Sequence, residues 1–98
     1  MVVFTVRLGD ESFQVYLQKG FFYPDGTPAI RAFTDQGEPF ANLTVAIEGT
    51  KLKQGEYLVK TWGENRQLAE AVLRNNLLVD TGRRVRTEYV EAQVWREP

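Results

Sequence analysis

The stretch VVFTVRLGDESFQVYLQ, Val2 to Gln18, decides the fold class. Val2, Phe4, Val6 and Leu8 alternate with Val3, Thr5 and Arg7, and Gly9-Asp10-Glu11 breaks the run. Phe13, Val15 and Leu17 then alternate with Gln14, Tyr16 and Gln18. Side chains on a strand point to opposite faces in turn, so two alternating runs joined by a Gly/Asp turn read as a half-buried β-hairpin. Phe4, Val6, Val15 and Leu17 are its expected core face, and Tyr16 is left looking outward.

Working outward, residues 19–28 hold Gly20, Pro24, Asp25, Gly26 and Pro28, a dense set of turn formers around Phe21, Phe22 and Tyr23. The stretch reads either as a loop with an aromatic tip or as an extension of the second strand. A third strand is expected over 29–34 and a turn over 35–39. A fourth strand carries Phe40, Leu43, Val45 and Ile47, which completes an antiparallel meander. Residues 51–56 read as an exposed connection into a short fifth strand at 57–60. The period then changes to helical over 63–76, with Leu68, Ala71 and Val72 on one stripe and Glu70 and Arg74 as an i,i+4 pair. Thr61 and Glu64 have the spacing of a capping box at its start. Asp80-Thr81-Gly82 reads as a turn, and Val90, Ala92 and Val94 alternate with Tyr89, Glu91, Gln93 and Trp95 in a closing strand. The expected fold is therefore α+β: one antiparallel sheet of five to six strands with one helix (63–76) packed on a face, all in a single domain spanning 1–98.

Composition limits the chemistry. The 98 residues carry 12 basic and 13 acidic side chains, a net charge of −1, which is not the balance of a protein that coats nucleic acid. Cysteine and histidine are both absent. Disulfides, thiol catalysis, zinc sites built on Cys or His and imidazole acid–base chemistry are therefore excluded within these residues. No apolar run reaches the roughly 20 residues of a membrane helix, so no membrane partner is expected and a cytoplasmic location is. Gly49 and Gly55 flank two lysines without the Gly-Lys-Ser/Thr ending of a phosphate loop. Ser12 opens a strand after a turn, where serine is common for local hydrogen bonding. Asp10 and Glu11 diverge on a hairpin tip, and nothing in the spacing joins Asp80 to Glu64 as cation ligands. No catalytic residue, metal site or cofactor is expected.

The most distinctive charge is Arg83-Arg84-Val85-Arg86. Three guanidiniums in four residues suit phosphates or carboxylates, and alternation places Arg84 and Arg86 on one face. Asp80, Glu88 and Glu91 stand close enough in sequence to neutralise them, which would make the cluster an ordinary solvated strand entrance. Tyr89 and Trp95 are expected to share an outward strand face. Trp62, at the strand-to-helix junction, either staples the helix to the sheet or projects as an interface anchor.

Gly37-Glu38-Pro39-Phe40-Ala41 with Leu43-Thr44-Val45, then Val59-Lys60-Thr61-Trp62-Gly63-Glu64-Asn65, Asp80-Thr81-Gly82-Arg83-Arg84-Val85 and Tyr89-Val90-Glu91-Ala92, together resemble an uncharacterised bacterial domain-of-unknown-function family, number 4313. The likeness lies in residues 37–47 and 55–95, and residues 1–36 fit it only loosely. The resemblance implies a small cytoplasmic accessory protein carried by plasmids and phages, with no catalytic residues to transfer. It also brings in proteins that bind and block a host machine, anti-CRISPR inhibitors among them. Turn and cap chemistry accounts for much of these motifs, Asn65 and Trp62 least easily.

The expected function is a non-enzymatic binding protein, an inhibitor that occupies a surface of a host or CRISPR-type defence complex through Arg83, Arg84, Arg86, Tyr89, Trp62 and Trp95. The alternative is a nucleic-acid-binding accessory module using the same arginines and outward aromatics. Either a monomer or a homodimer joined through a sheet edge fits the pattern.

Overall fold

In a computed structural model covering Met1–Pro98, strands β1 (Val3–Leu8) and β2 (Glu11–Phe22) form the hairpin that the alternation demands. Phe4 lies opposite Val15 and Val6 opposite Phe13, and Phe4, Val6 and Val15 are buried. Strands β3 (Pro28–Thr34) and β4 (Pro39–Asn42) continue it into a four-stranded antiparallel meander, β1-β2-β3-β4. The aromatic stretch after Lys19 extends β2. A register shift between Gln18 and Phe21, with Gly20 in the left-handed region (φ 96°), carries the strand through to Phe22.

The fourth strand stops well short of Ile47. Leu43 still donates its N–H to the Ile30 carbonyl, but Val45 donates to Leu58 and Lys60 donates back to Leu43. Residues 43–45 thus leave the first sheet and join β5 (Glu56–Val59), with Thr44 bridging Val59. The buried Thr44 hydroxyl accepts from the Ile30 N–H at 3.0 Å, and the Tyr23 hydroxyl donates to the Thr44 carbonyl at 2.8 Å. This crossing point divides the strands into two sheets, correcting the single sheet of five to six strands. The second sheet, of three strands, is ordered β5-β7-β6, with β6 at Val79–Arg86 and β7 at Glu91–Arg96. The fold remains α+β and the pairing antiparallel throughout.

Asp80-Thr81-Gly82 is a bulge inside β6 and not a turn before it. Asp80 faces Trp95, Arg84 faces Gln93, and the register shifts between them at Gly82, whose φ of 87° suits only glycine well. The Asp80 carboxylate accepts from the Gly82 N–H (2.9 Å), and the Thr81 hydroxyl donates to the Val94 carbonyl (2.6 Å).

The helix is shorter than 63–76. A 3₁₀ turn over Gly63–Asn65 precedes α1 (Arg66–Arg74). Thr61 and Glu64 make no capping box: Trp62 is the cap position, without a side-chain bond, and Glu64 pairs with Lys60 at 3.3 Å. Gly63 at φ 63° sets the tighter turn where a first α turn would have presented Glu64 to the helix start. Arg66 is the partner of Glu70, at 3.4 Å, in place of Arg74. Asn76, left-handed at φ 56°, ends the helix, and its N–H bonds the Leu73 carbonyl.

Leu68, Ala69, Ala71 and Val72 face the main core, where they meet Phe4, Val6, Val15, Ile30, Ala32 and Leu43 from the first sheet and its exit, and Val59, Leu78 and Trp95 from the second. The other face of the second sheet is covered as well. Leu58, Ala92 and Val94 form a smaller cluster beneath Val45, Ile47, Leu52, Trp62 and Val85. Residues 45–55 therefore strap over that sheet, and its central strand β7 is buried on both sides. Trp95 accordingly lies in the core at 1% exposure, its indole N–H on Gln93 Oε1 at 3.0 Å, and not on an outward face with Tyr89. Where the first sheet meets the end of β7, Lys19 and the Tyr57 hydroxyl both hold Glu97, each at 2.6 Å. Burial, with Glu97 alongside, pushes Tyr57 up to about 12. Burial also pushes the Glu97 carboxyl up, but Lys19 and Tyr57 more than reverse this and hold it low. No helix is long and apolar enough to cross a membrane.

Candidate binding surface

Strand β6 delivers the three clustered arginines to three different carboxylates. Arg84 grips Asp80 with both Nη atoms at 2.9 Å, and this hydrogen-bonded fork holds the Asp80 carboxyl below the usual range. Arg86 reaches Glu91 across the β6–β7 ladder at 2.6 Å. Arg83 turns to the opposite side, to the largely buried Glu56 (3.1 Å) and the Lys51 carbonyl (2.8 Å). Glu56 is held low chiefly by the Lys53 N–H, with Arg83 adding to it. Arg83 is thus a tie for the strap. Arg83→Ala should free residues 51–56 and speed tryptic cleavage after Lys51 and Lys53 severalfold, because proteolysis follows local opening. Timed digestion with mass spectrometry reads the two sites, and an unchanged rate at both would show that the strap holds without Arg83.

The six residues expected to make contacts do not form one surface. Trp95 is in the main core, and Trp62 is half-buried against the second cluster with the Lys60 ammonium 5.8 Å from its ring. Tyr89 is 87% exposed on the turn between β6 and β7, where the Thr87 hydroxyl accepts from the Tyr89 and Val90 N–H groups. Only Arg86 and Tyr89 remain together, at that tip. Asn65 is structural: it is 2% exposed, and its amide donates to the carbonyls of Asn42 (2.6 Å) and Lys60 (3.3 Å).

A different surface emerges on the outer face of the first sheet, which no other element covers. Register places Val3, Tyr16, Phe33 and Pro39 in one row across the four strands. Gln18, Arg31 and Asn42 form the next row, and Thr5, Gln14, Arg7 and Ser12 lie on the other side. The Tyr16 and Phe33 rings are 5.7 Å apart and within 23° of parallel. The Arg31 guanidinium sits 4.2 Å over the Phe21 ring, an attraction of cation to ring quadrupole. Arg31, Phe33, Pro39 and Asn42 line an open depression of about 340 Å³ toward β4.

Charge on this face is one-signed. None of its strand residues is an Asp or Glu, and neither Arg7 nor Arg31 has a salt-bridge partner, unlike Arg66, Arg83, Arg84 and Arg86. The nearby carboxylates stand at the ends of the sheet: Asp10, Glu11, Asp35 and Glu38 at the β1–β2 and β3–β4 turns, and Asp25 on the β2–β3 turn opposite. Tyr16 was legible as an outward aromatic. Arg31 and Phe33 were missed, although Ile30 and Ala32 alternating with them carry the same period-two signal as the first hairpin. No family model matches the chain, and no match was found among curated proteins or solved structures.

Proposed function

We propose that this chain is a non-enzymatic binding protein whose working surface is the outer face of the four-stranded sheet. The observation that carries this reading is an uncovered sheet face with paired aromatic rings, two unneutralised arginines and no carboxylate, in a chain of net charge −1. An exposed patch of this kind, rimmed by polar groups, is characteristic of an interaction site. Cysteine and histidine are missing from the sequence, and the reading is of a protein that acts by occupying a surface. The family resemblance adds a setting: a cytoplasmic accessory protein of a phage or plasmid that blocks a host or CRISPR-type defence complex by sitting on it. The arginine cluster of β6 contributes little in this reading, because each guanidinium is already paired.

Affinity capture from bacterial lysate tests it, using the tagged protein and its Arg31→Glu and Arg86→Glu variants, each with and without nuclease. Arg31→Glu should lose whatever the wild type retains, while Arg86→Glu keeps it. Loss on Arg86→Glu with retention on Arg31→Glu would move the working surface to the Arg86–Tyr89 tip.

A further inference from the structure

We propose that the open face of the four-stranded sheet binds a short run of single-stranded nucleic acid, its bases stacking on Tyr16 and Phe33 and its phosphates facing Arg31 and Arg7. The inference rests on this face being the working surface and gives it a nucleic acid, in place of a protein surface, as its direct occupant.

Single strands are held by aromatic rings that take the base planes, beside cations that track the backbone. Both are present within two adjacent rows. Tyr16 and Phe33 form the aromatic pair, and Arg31 lies in the row beside them, fixed over Phe21. That row also carries Gln18 and Asn42, whose side-chain amides make no hydrogen bond within the protein and can each present two donors and an acceptor to a base edge. A duplex keeps its bases stacked on one another and offers these rings nothing to take, whereas an unpaired strand can splay its bases onto the sheet.

The charge layout also sets a path. Asp10, Glu11, Asp35 and Glu38 at the β1–β2 and β3–β4 turns outnumber Asp25, the one carboxylate on the β2–β3 turn at the other end, so the strand crosses β1 to β4 between the two ends, through the Tyr16–Phe33 row and the Arg31 row beyond it. Arg7, on the side nearer the β1–β2 turn, marks the limit of the path. An acidic protein segment would use the arginines but leave the ring pair and the free amides without a role, which is why the nucleic acid is favoured.

Fluorescence anisotropy with a labelled oligothymidylate of about 12 nucleotides tests the proposal, that length lying within the span of single-strand sites on comparable sheet surfaces. Binding should be saturable, and log K should fall with log salt at a slope near −1.4, about 0.7 for each of two phosphate contacts. Tyr16→Ala should weaken it roughly tenfold or more, whereas Tyr16→Phe, which keeps the ring, should bind as the wild type does. Arg31→Gln should bring the slope to about −0.7. A urea midpoint matching the wild type for each variant separates lost contact from lost fold. No binding, equal affinity for the duplex, or an unchanged Tyr16→Ala variant overturns the proposal. If the oligonucleotide fails while Arg31→Glu still loses a nuclease-resistant protein in lysate capture, the occupant is a protein: the inference falls and the working surface stands. If both fail, the surface itself is wrong.

Discussion

Trp95→Ala should lower the unfolding free energy by about 3–5 kcal/mol, the range for deleting a buried aromatic side chain. The indole is 1% exposed and belongs to the same cluster as Leu68, Val72 and Leu78, so its removal leaves a cavity at the junction of the helix and both sheets. Its N–H bond to Gln93 is lost as well, leaving the amide oxygen without that donor. Native domains have about 5–15 kcal/mol in total, so the variant should give up a large share of its stability margin. Urea denaturation of wild type and variant measures the difference. A loss below about 1 kcal/mol is what a surface residue gives, and it would return Trp95 to the list of contact candidates.

The second large effect belongs to Asn65. Its amide bonds the carbonyls of Asn42 and Lys60 and so ties the end of β4 to the exit of β5, just ahead of α1. Asn65→Leu fills the space but leaves both acceptors without this donor, at about 1–3 kcal/mol for each buried group left unsatisfied. Asn65→Asp should be worse at neutral pH, because it brings a carboxylate against two carbonyl oxygens at a buried position. Burial and those oxygens raise the new carboxyl's pKa in the folded state above its unfolded value, near 3.9 for an aspartate. The protonated form, which can donate one bond, is therefore the one the fold tolerates. The penalty should shrink below about pH 4 and grow as pH rises above it. Thermal melts of Asn65→Asp and Asn65→Leu across pH 3–8 provide the check. Parallel pH profiles for the two variants would show that the amide bonds are not what matters.

The parts of the fold that could be read from the chain are those with one wet face. The first hairpin and meander alternate because the outer side of that sheet meets water, and Phe4, Val6 and Val15 fall where alternation puts them. Strand β7 gives no such guide. Ala92 and Val94 face one apolar cluster and Trp95 faces the other, so alternation could say which residues oppose one another but not which side was solvent. Strand assignment fails at Asp80-Thr81-Gly82 for a related reason: a Gly bulge and a Gly turn use the same residues, and only the pairing partner tells them apart. The arginine cluster misled in the opposite direction. Asp80 and Glu91 were visible as neutralisers, but Glu56, the partner of Arg83, lies 27 residues away and arrives only through the strap. The outer face of the first sheet was within reach, since Arg31 and Phe33 alternate with buried Ile30 and Ala32 as plainly as anything in the first hairpin.

The place of β7 at the centre of its sheet has a consequence for how the chain comes to be folded. During synthesis the four strands of the first sheet emerge as neighbours, each following the one it pairs with, and short-range pairing of that kind is quick. Strand β5 emerges next and has only the Thr44–Val59 bridge to hold it, because its ladder partner β7 is made after both α1 and β6. Until then Leu58 and Val59 stand on an unsatisfied edge and the helix has no Trp95 to close over. The first sheet is thus able to pair as it is made, whereas the second waits for a strand synthesised after the helix, which sets the two sheets apart in the sequence separation of their contacts.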